Sequence, residues 1–71
     1  MERRPMIHVK LNGEERELPA GTTLRALLAS LALAPEKIAI ELNRRLARAE
    51  KLDQPLADGD ELEIVTFVGG G

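Results

Sequence analysis

The residue pattern predicts an α+β domain, a mixed sheet packed on one main helix. Two observations carry that prediction. Apolar residues recur at a period of two in the runs 6–11, 37–43 and 61–68, whereas a single stretch, beginning at Leu24, carries a helical stripe. One amphipathic helix needs one sheet face to cover it, which gives two layers. With 71 residues, the chain buries only about 60% of its unfolded surface, so it builds one core and one domain.

Taken in order, Ile7, Val9 and Leu11 share one face of a first strand, and Met6, His8 and Lys10 the other. Asn12-Gly13 is a strong hairpin signal, because both residues tolerate positive φ. Residues 14–18 return as a charged strand suited to a sheet edge, and Pro19-Ala20-Gly21 breaks it. Thr22 or Thr23 then caps a helix through its hydroxyl. Leu24, Leu27, Leu28 and Leu31 form its stripe, and Pro35 sets its end near Leu33. Ile38, Ile40 and Leu42 face inward from the next strand, with Ala39 and Glu41 outward. Asn43-Arg44-Arg45 reads as a turn and residues 46–48 as a short strand. Residues 49–57 are irregular, anchored by Leu52 and Leu56. Asp58-Gly59-Asp60 turns the chain into the last strand, 61–68. This order, with its hairpin and short crossover, suits a ubiquitin-like β-grasp. The domain is expected over residues 6–68, after an N-terminal extension of residues 1–5 and before a glycine tail of residues 69–71.

Composition removes several function classes. The chain has no cysteine, hence no disulfide framework, thiolate nucleophile or cysteine metal site. Ten basic and twelve acidic residues give a net charge of −2, far from the basic balance of a nucleic-acid binder. No apolar stretch approaches the roughly 18 residues of a membrane span. Residues 1–5 have charge but no long apolar run after them, so they do not read as a secretory signal. The cytoplasm is the expected location. The hydrophobic fraction is 44% with one aromatic, Phe67. The core is therefore aliphatic, and its residues leave little to wall a deep catalytic pocket.

Among polar candidates, His8 has no second histidine to form a metal site with and reads as a solvated strand residue. Asp58, Asp60 and Glu61 surround Gly59, but the ligand spacing of a calcium loop is lacking and a turn explains them better. Arg44, Arg45 and Arg48 make a basic spot, either a solvated turn or a docking contact for an acidic surface. In the last strand Leu62 and Ile64 face the helix, whereas Val65 and Phe67 face solvent. Beside Ala39 and His8 they form a patch for a protein partner, unless they pack under the loop 49–57.

Beyond Val68 the sequence reads Gly69-Gly70-Gly71. Without Cβ atoms, such a tail enters a channel too narrow for other residues. It extends about 10 Å at most. Its α-carboxylate, with an ordinary pKa near ~3.5, is ionised and a poor electrophile until activated. The chain has no nucleotide-binding loop, so another protein must activate it. That combination describes a carrier rather than a catalyst.

Three segments carry a family resemblance: Ile38-Ala39-Ile40-Glu41-Leu42-Asn43, Pro55-Leu56-Ala57-Asp58-Gly59-Asp60, and Glu63-Ile64-Val65-Thr66-Phe67-Val68-Gly69-Gly70-Gly71. With them the chain, from about Met6 onward, resembles the ThiS family of thiamine-biosynthesis sulfur carriers. The resemblance implies that a ThiF-like enzyme uses ATP and magnesium to adenylate Gly71. A cysteine desulfurase then supplies sulfur, and the resulting thiocarboxylate serves a ThiG-like thiazole synthase. No cofactor is expected on this chain itself, and Ala39, Val65, Phe67 and Val68 are the expected partner-binding residues. The segment Ala47-Arg48-Ala49-Glu50-Lys51-Leu52 departs from the family, whose members often carry a proline-arginine pair and an aromatic there. Alternatives sharing the fold are a carrier for molybdopterin, cysteine or tRNA thiolation, a modifier conjugated to lysines, and a non-carrier TGS-like interaction domain.

Overall fold

Each alternating run forms a strand in the computed structural model, which describes residues 5–67. Strands β1 (Met6–Leu11) and β2 (Glu14–Pro19) form an antiparallel hairpin across Asn12 and Gly13. Their φ angles of 49° and 86° match the left-handed two-residue turn that fits strand twist. Helix α1 (Leu24–Ser30) follows, then β3 (Ile38–Leu42), β4 (Arg45–Leu46) and β5 (Glu61–Thr66). Single 3₁₀ turns at Pro35–Lys37 and Ala49–Lys51 join them. The five-stranded sheet has the order β2-β1-β5-β3-β4. β5 runs parallel to β1 and antiparallel to β3. This mixed sheet on one helix is the expected β-grasp, with charged β2 at an edge.

Thr23 is the helix cap: its Oγ1 accepts from Ala26 N–H at 3.1 Å, while the Thr22 hydroxyl donates to the Pro19 carbonyl. The stripe then buries Leu24, Leu27 and Leu28 among Ile7, Val9, Leu11, Ile38, Ile40, Leu62 and Ile64. Leu56 closes the core from the long loop, where its N–H donates to the Thr22 carbonyl, and Leu52 is half-buried. Among the described residues no helix is long and apolar enough to cross a membrane.

β2 runs through Pro19 instead of breaking there, β5 stops at Thr66, and three further boundaries differ from the sequence-based expectation. Helix α1 stops at Ser30 rather than near Leu33, and Leu31 is only half-buried. Ala32 takes a left-handed φ of 58°, Leu33 N–H donates to the Leu28 carbonyl and Ala32 N–H to that of Ala29. That is a Schellman stop with alanine where glycine is usual. We expect Ala32→Gly to stabilise the domain by about 0.5–1 kcal/mol, since it relieves the Cβ clash but adds unfolded-state entropy. Chemical denaturation should show the midpoint rising with an unchanged m-value. Second, the short strand is Arg45–Leu46 rather than 46–48, because Asn43 and Arg44, with φ of 53° and 69°, complete the turn by themselves. Third, Lys37 belongs to a 3₁₀ turn, and β3 starts at Ile38. The expected domain boundary at Val68 and the tail Gly69, Gly70 and Gly71 lie outside the described residues, as does most of the N-terminal extension.

Candidate partner-docking face

β5 sits in the middle of the sheet, and two asparagines hold it from either side. The Asn12 amide accepts from Ile64 N–H at 2.8 Å and donates to the Ile64 carbonyl at 3.2 Å. The Asn43 amide accepts from Glu61 N–H and donates to Asp60 Oδ1, both at 3.0 Å. Both asparagines occupy left-handed turn positions, a conformation their short polar side chains tolerate. Each therefore turns its own hairpin and secures β5. The sequence shows the turns through Asn12 and Asn43 but gives no local signal of these bonds across the sheet.

The inward side chains of β5, Leu62 and Ile64, are buried, whereas Val65 and Phe67 are 59% and 63% exposed. They do not pack under the loop 49–57. Val65 stands opposite half-buried Ala39, and Phe67 N–H donates to the Lys37 carbonyl at 3.1 Å, so pairing continues to the end of the described chain. An apolar patch of Ala39, Val65 and Phe67 thus flanks the point from which the sequence continues into Val68 and the glycines. Val68, Gly69, Gly70 and Gly71 lie outside the described residues.

His8 does not join that patch. The parallel register sets Lys10 beside Glu61, so His8 lies beside the turn before β5, where its N–H donates to Asp58 Oδ1 and its carbonyl accepts from Gly59 N–H. Its exposed imidazole lies 3.3 Å from Glu17 and 3.7 Å from Asp58, a solvated setting as expected. The oxygens of Asp60 accept from Ala57 N–H and the Asn43 amide, which makes residues 58–60 a bonded turn. Among the described residues no cluster of side chains is arranged to hold a metal ion.

Arg44, Arg45 and Arg48 are exposed. Arg48 borders a cleft of about 540 Å³ with Ala39, Leu46, Leu52 and Arg25. At its rim the Arg25 guanidinium, 2.8 Å from Asp53, holds that carboxyl below its ordinary range by hydrogen bonding. Arg25 N–H also donates to the Leu52 carbonyl, which ties the loop to α1.

A ThiS family model matches residues 9–71, most of the chain. The chain belongs to the ThiS family. Among its family relatives, the sulfur carrier protein ThiS of Thermus thermophilus is 39% identical over 64 residues, covering 89% of this chain and 98% of that one. A crystal structure of thiamine biosynthesis protein ThiS from Geobacter metallireducens superposes with a TM-score of 0.70 at 30% identity, over 92% of this chain and all of that one. The thiazole synthase of Magnetococcus marinus is 44% identical over 64 residues, which are 89% of this chain. This chain spans only 20% of that synthase's length.

Proposed function

We propose that this ThiS-family chain is a sulfur carrier rather than an enzyme, and that Gly71 is its reactive end. The observation that carries the reading is the layout of β5. Its inner face anchors it in the core, its outer face offers Val65 and Phe67, and its sequence runs on within a few residues to three glycines. A partner gripping the exposed residues thereby receives the tail within reach of its own active site. Fixing the reactants together in this way replaces a bimolecular encounter with a step at high effective concentration.

In this reading a ThiF-like enzyme binds the patch of Ala39, Val65, Phe67 and Val68 and draws Gly69 and Gly70 into a narrow channel. With ATP and magnesium held by that enzyme, the Gly71 carboxylate attacks the α-phosphorus and pyrophosphate leaves. The resulting acyl-adenylate has AMP as a good leaving group. A cysteine desulfurase supplies sulfur as a persulfide, whose terminal sulfur attacks the Gly71 carbonyl and expels AMP. A reducing thiol then cleaves the S–S bond, leaving as a disulfide with the desulfurase cysteine, and the freed Gly71 thiocarboxylate passes sulfur to a ThiG-like thiazole synthase for thiazole formation. The chain itself binds no cofactor. Its cysteine-free sequence suits a reducing, cytoplasmic setting. The match to thiazole synthases that contain a segment like this chain favours the thiamine pathway over other sulfur-transfer routes.

The patch is tested by Phe67→Ala. Exposed aromatics that become buried in a complex often dominate its energetics. We expect the variant to lose more than about 1 kcal/mol of affinity for the adenylating enzyme, fivefold or greater, with its melting temperature unchanged. Titration calorimetry giving wild-type affinity would remove Phe67 from the interface.

A further inference from the structure

The outer face of the sheet treats its charges in two ways. On the β1–β2 side a carboxylate meets a complementary partner: Lys10 faces Glu15, and the His8 imidazole faces Glu17. On the β3–β5 side Glu41 faces Glu63 directly, and both are exposed. Like charges directly opposite in an antiparallel pair repel and weaken the sheet. No cation faces either carboxylate directly, the nearest on this face being Lys10, diagonal to Glu63 and paired with Glu61. The residue facing Glu41 from β4 is Leu46. On the β1 side the chain has reached Asn12, whose amide is committed to Ile64. Among the described residues Arg25 pairs with Asp53, the His8 imidazole lies near Glu17 and Asp58, and no ion pair involves Glu41 or Glu63.

Neither carboxylate is needed for the core, since both side chains lie on the solvent face. A glutamine at either position would relieve the repulsion without disturbing packing. The unrelieved pair is also next in register to Ala39 and Val65 on the same face. An apolar patch and a doubled negative charge therefore form one continuous surface on the unpartnered side of the sheet.

We propose that Glu41 and Glu63 together receive a cationic side chain of the protein that docks on Val65 and Phe67, and that an arginine fits best. This rests on the reading that an adenylating enzyme binds that patch. Residues paired across antiparallel strands have Cα atoms about 5 Å apart, so the two carboxylates can converge on one guanidinium. Its planar array of five donors serves two acceptors at once, which an ammonium on a flexible stem does less well. Burial of the adjacent apolar residues removes water from the pair and strengthens it. The unfavourable charge pair of the free domain becomes a favourable triad in the complex.

The test is the double variant Glu41→Gln/Glu63→Gln, compared with wild type in melting temperature and in affinity for the adenylating enzyme across a salt series. Loss of the repulsion should raise the melting temperature by about 1–4 °C. Affinity should fall about tenfold at low ionic strength, with the gap closing as salt screens the wild-type contact. A variant that is more stable but binds less well cannot be explained by a purely structural role. Wild-type affinity and salt dependence in the variant would overturn the proposal while leaving the docking reading in place. A lower melting temperature would overturn it as well, since the pair would then stabilise the free domain. Failure of the wild type itself to bind the enzyme would remove the docking reading and the proposal together.

Discussion

Appending a single alanine after Gly71, or deleting Gly71, should abolish ATP–pyrophosphate exchange by the adenylating partner while the folded domain still binds it. The argument is one of reach. In the proposed reading the patch on β5 fixes the domain against the enzyme, so the length of chain beyond it fixes where the carboxylate falls. One residue more or less shifts that group by about 3.5 Å. An attacking oxygen displaced that far from phosphorus loses about 100-fold or more in rate. Gly70→Val should act through width instead, because a β-branched side chain cannot follow where glycine passes. Each variant is incubated with enzyme, ATP and labelled pyrophosphate. Near-normal exchange with the added alanine would exclude Gly71 as the activated residue and end the carrier reading.

Leu28→Ala should destabilise the domain by about 2–5 kcal/mol. Leu28 is 1% exposed, at the middle of the helix stripe and within the central cluster with Val9 and Leu62. In a chain with no tryptophan or tyrosine, the aliphatic residues carry nearly all of the burial, and few remain to refill the cavity. A domain of this size has only a few kcal/mol in hand, so much of the population should unfold at room temperature. Leu31→Ala offers an internal control: Leu31 is half-buried at the helix end, and its loss should cost clearly less. Denaturation showing equal, small effects at both positions would contradict the packing described for α1.

What was legible in the sequence is what local chemistry encodes. Alternation in Ile7-His8-Val9-Lys10-Leu11 identifies both a strand and its buried face, and the Asn12-Gly13 turn follows from two residues that accept positive φ. The leucine spacing after Thr23 identifies the helix and its inward side. The helix end was harder because Ala32 carries no sign of the left-handed angle it adopts, and the nearest visible stop signal was Pro35. For the same reason Arg44 gives no sign that the turn read at residues 43–45 closes in two residues. The candidate face divides similarly. Exposure of Val65 and Phe67 follows from parity along β5, whereas the separation of His8 from them depends on the offset between β1 and β5. The asparagine bonds to β5 span 52 residues for Asn12 and 18 for Asn43, and the Glu41–Glu63 pairing likewise appears only once distant strands are set in register.

The parallel placement of β1 beside β5 has a mechanical consequence. A partner that pulls on the tail loads β5 along its own axis, while the rest of the domain holds back through β1. The two strands are then drawn past each other lengthwise, rather than peeled apart from one end. Lys10 N–H to the Asp60 carbonyl, Asn12 N–H to the Leu62 carbonyl and Gly59 N–H to the His8 carbonyl, at 2.9, 2.8 and 2.7 Å, share that load, joined by the Asn12 amide on Ile64. Several bonds must stretch together before any one gives way, which raises the barrier that governs forced unfolding. Tension that a partner applied to the tail would thus be borne in shear between β5 and β1 at the centre of the sheet.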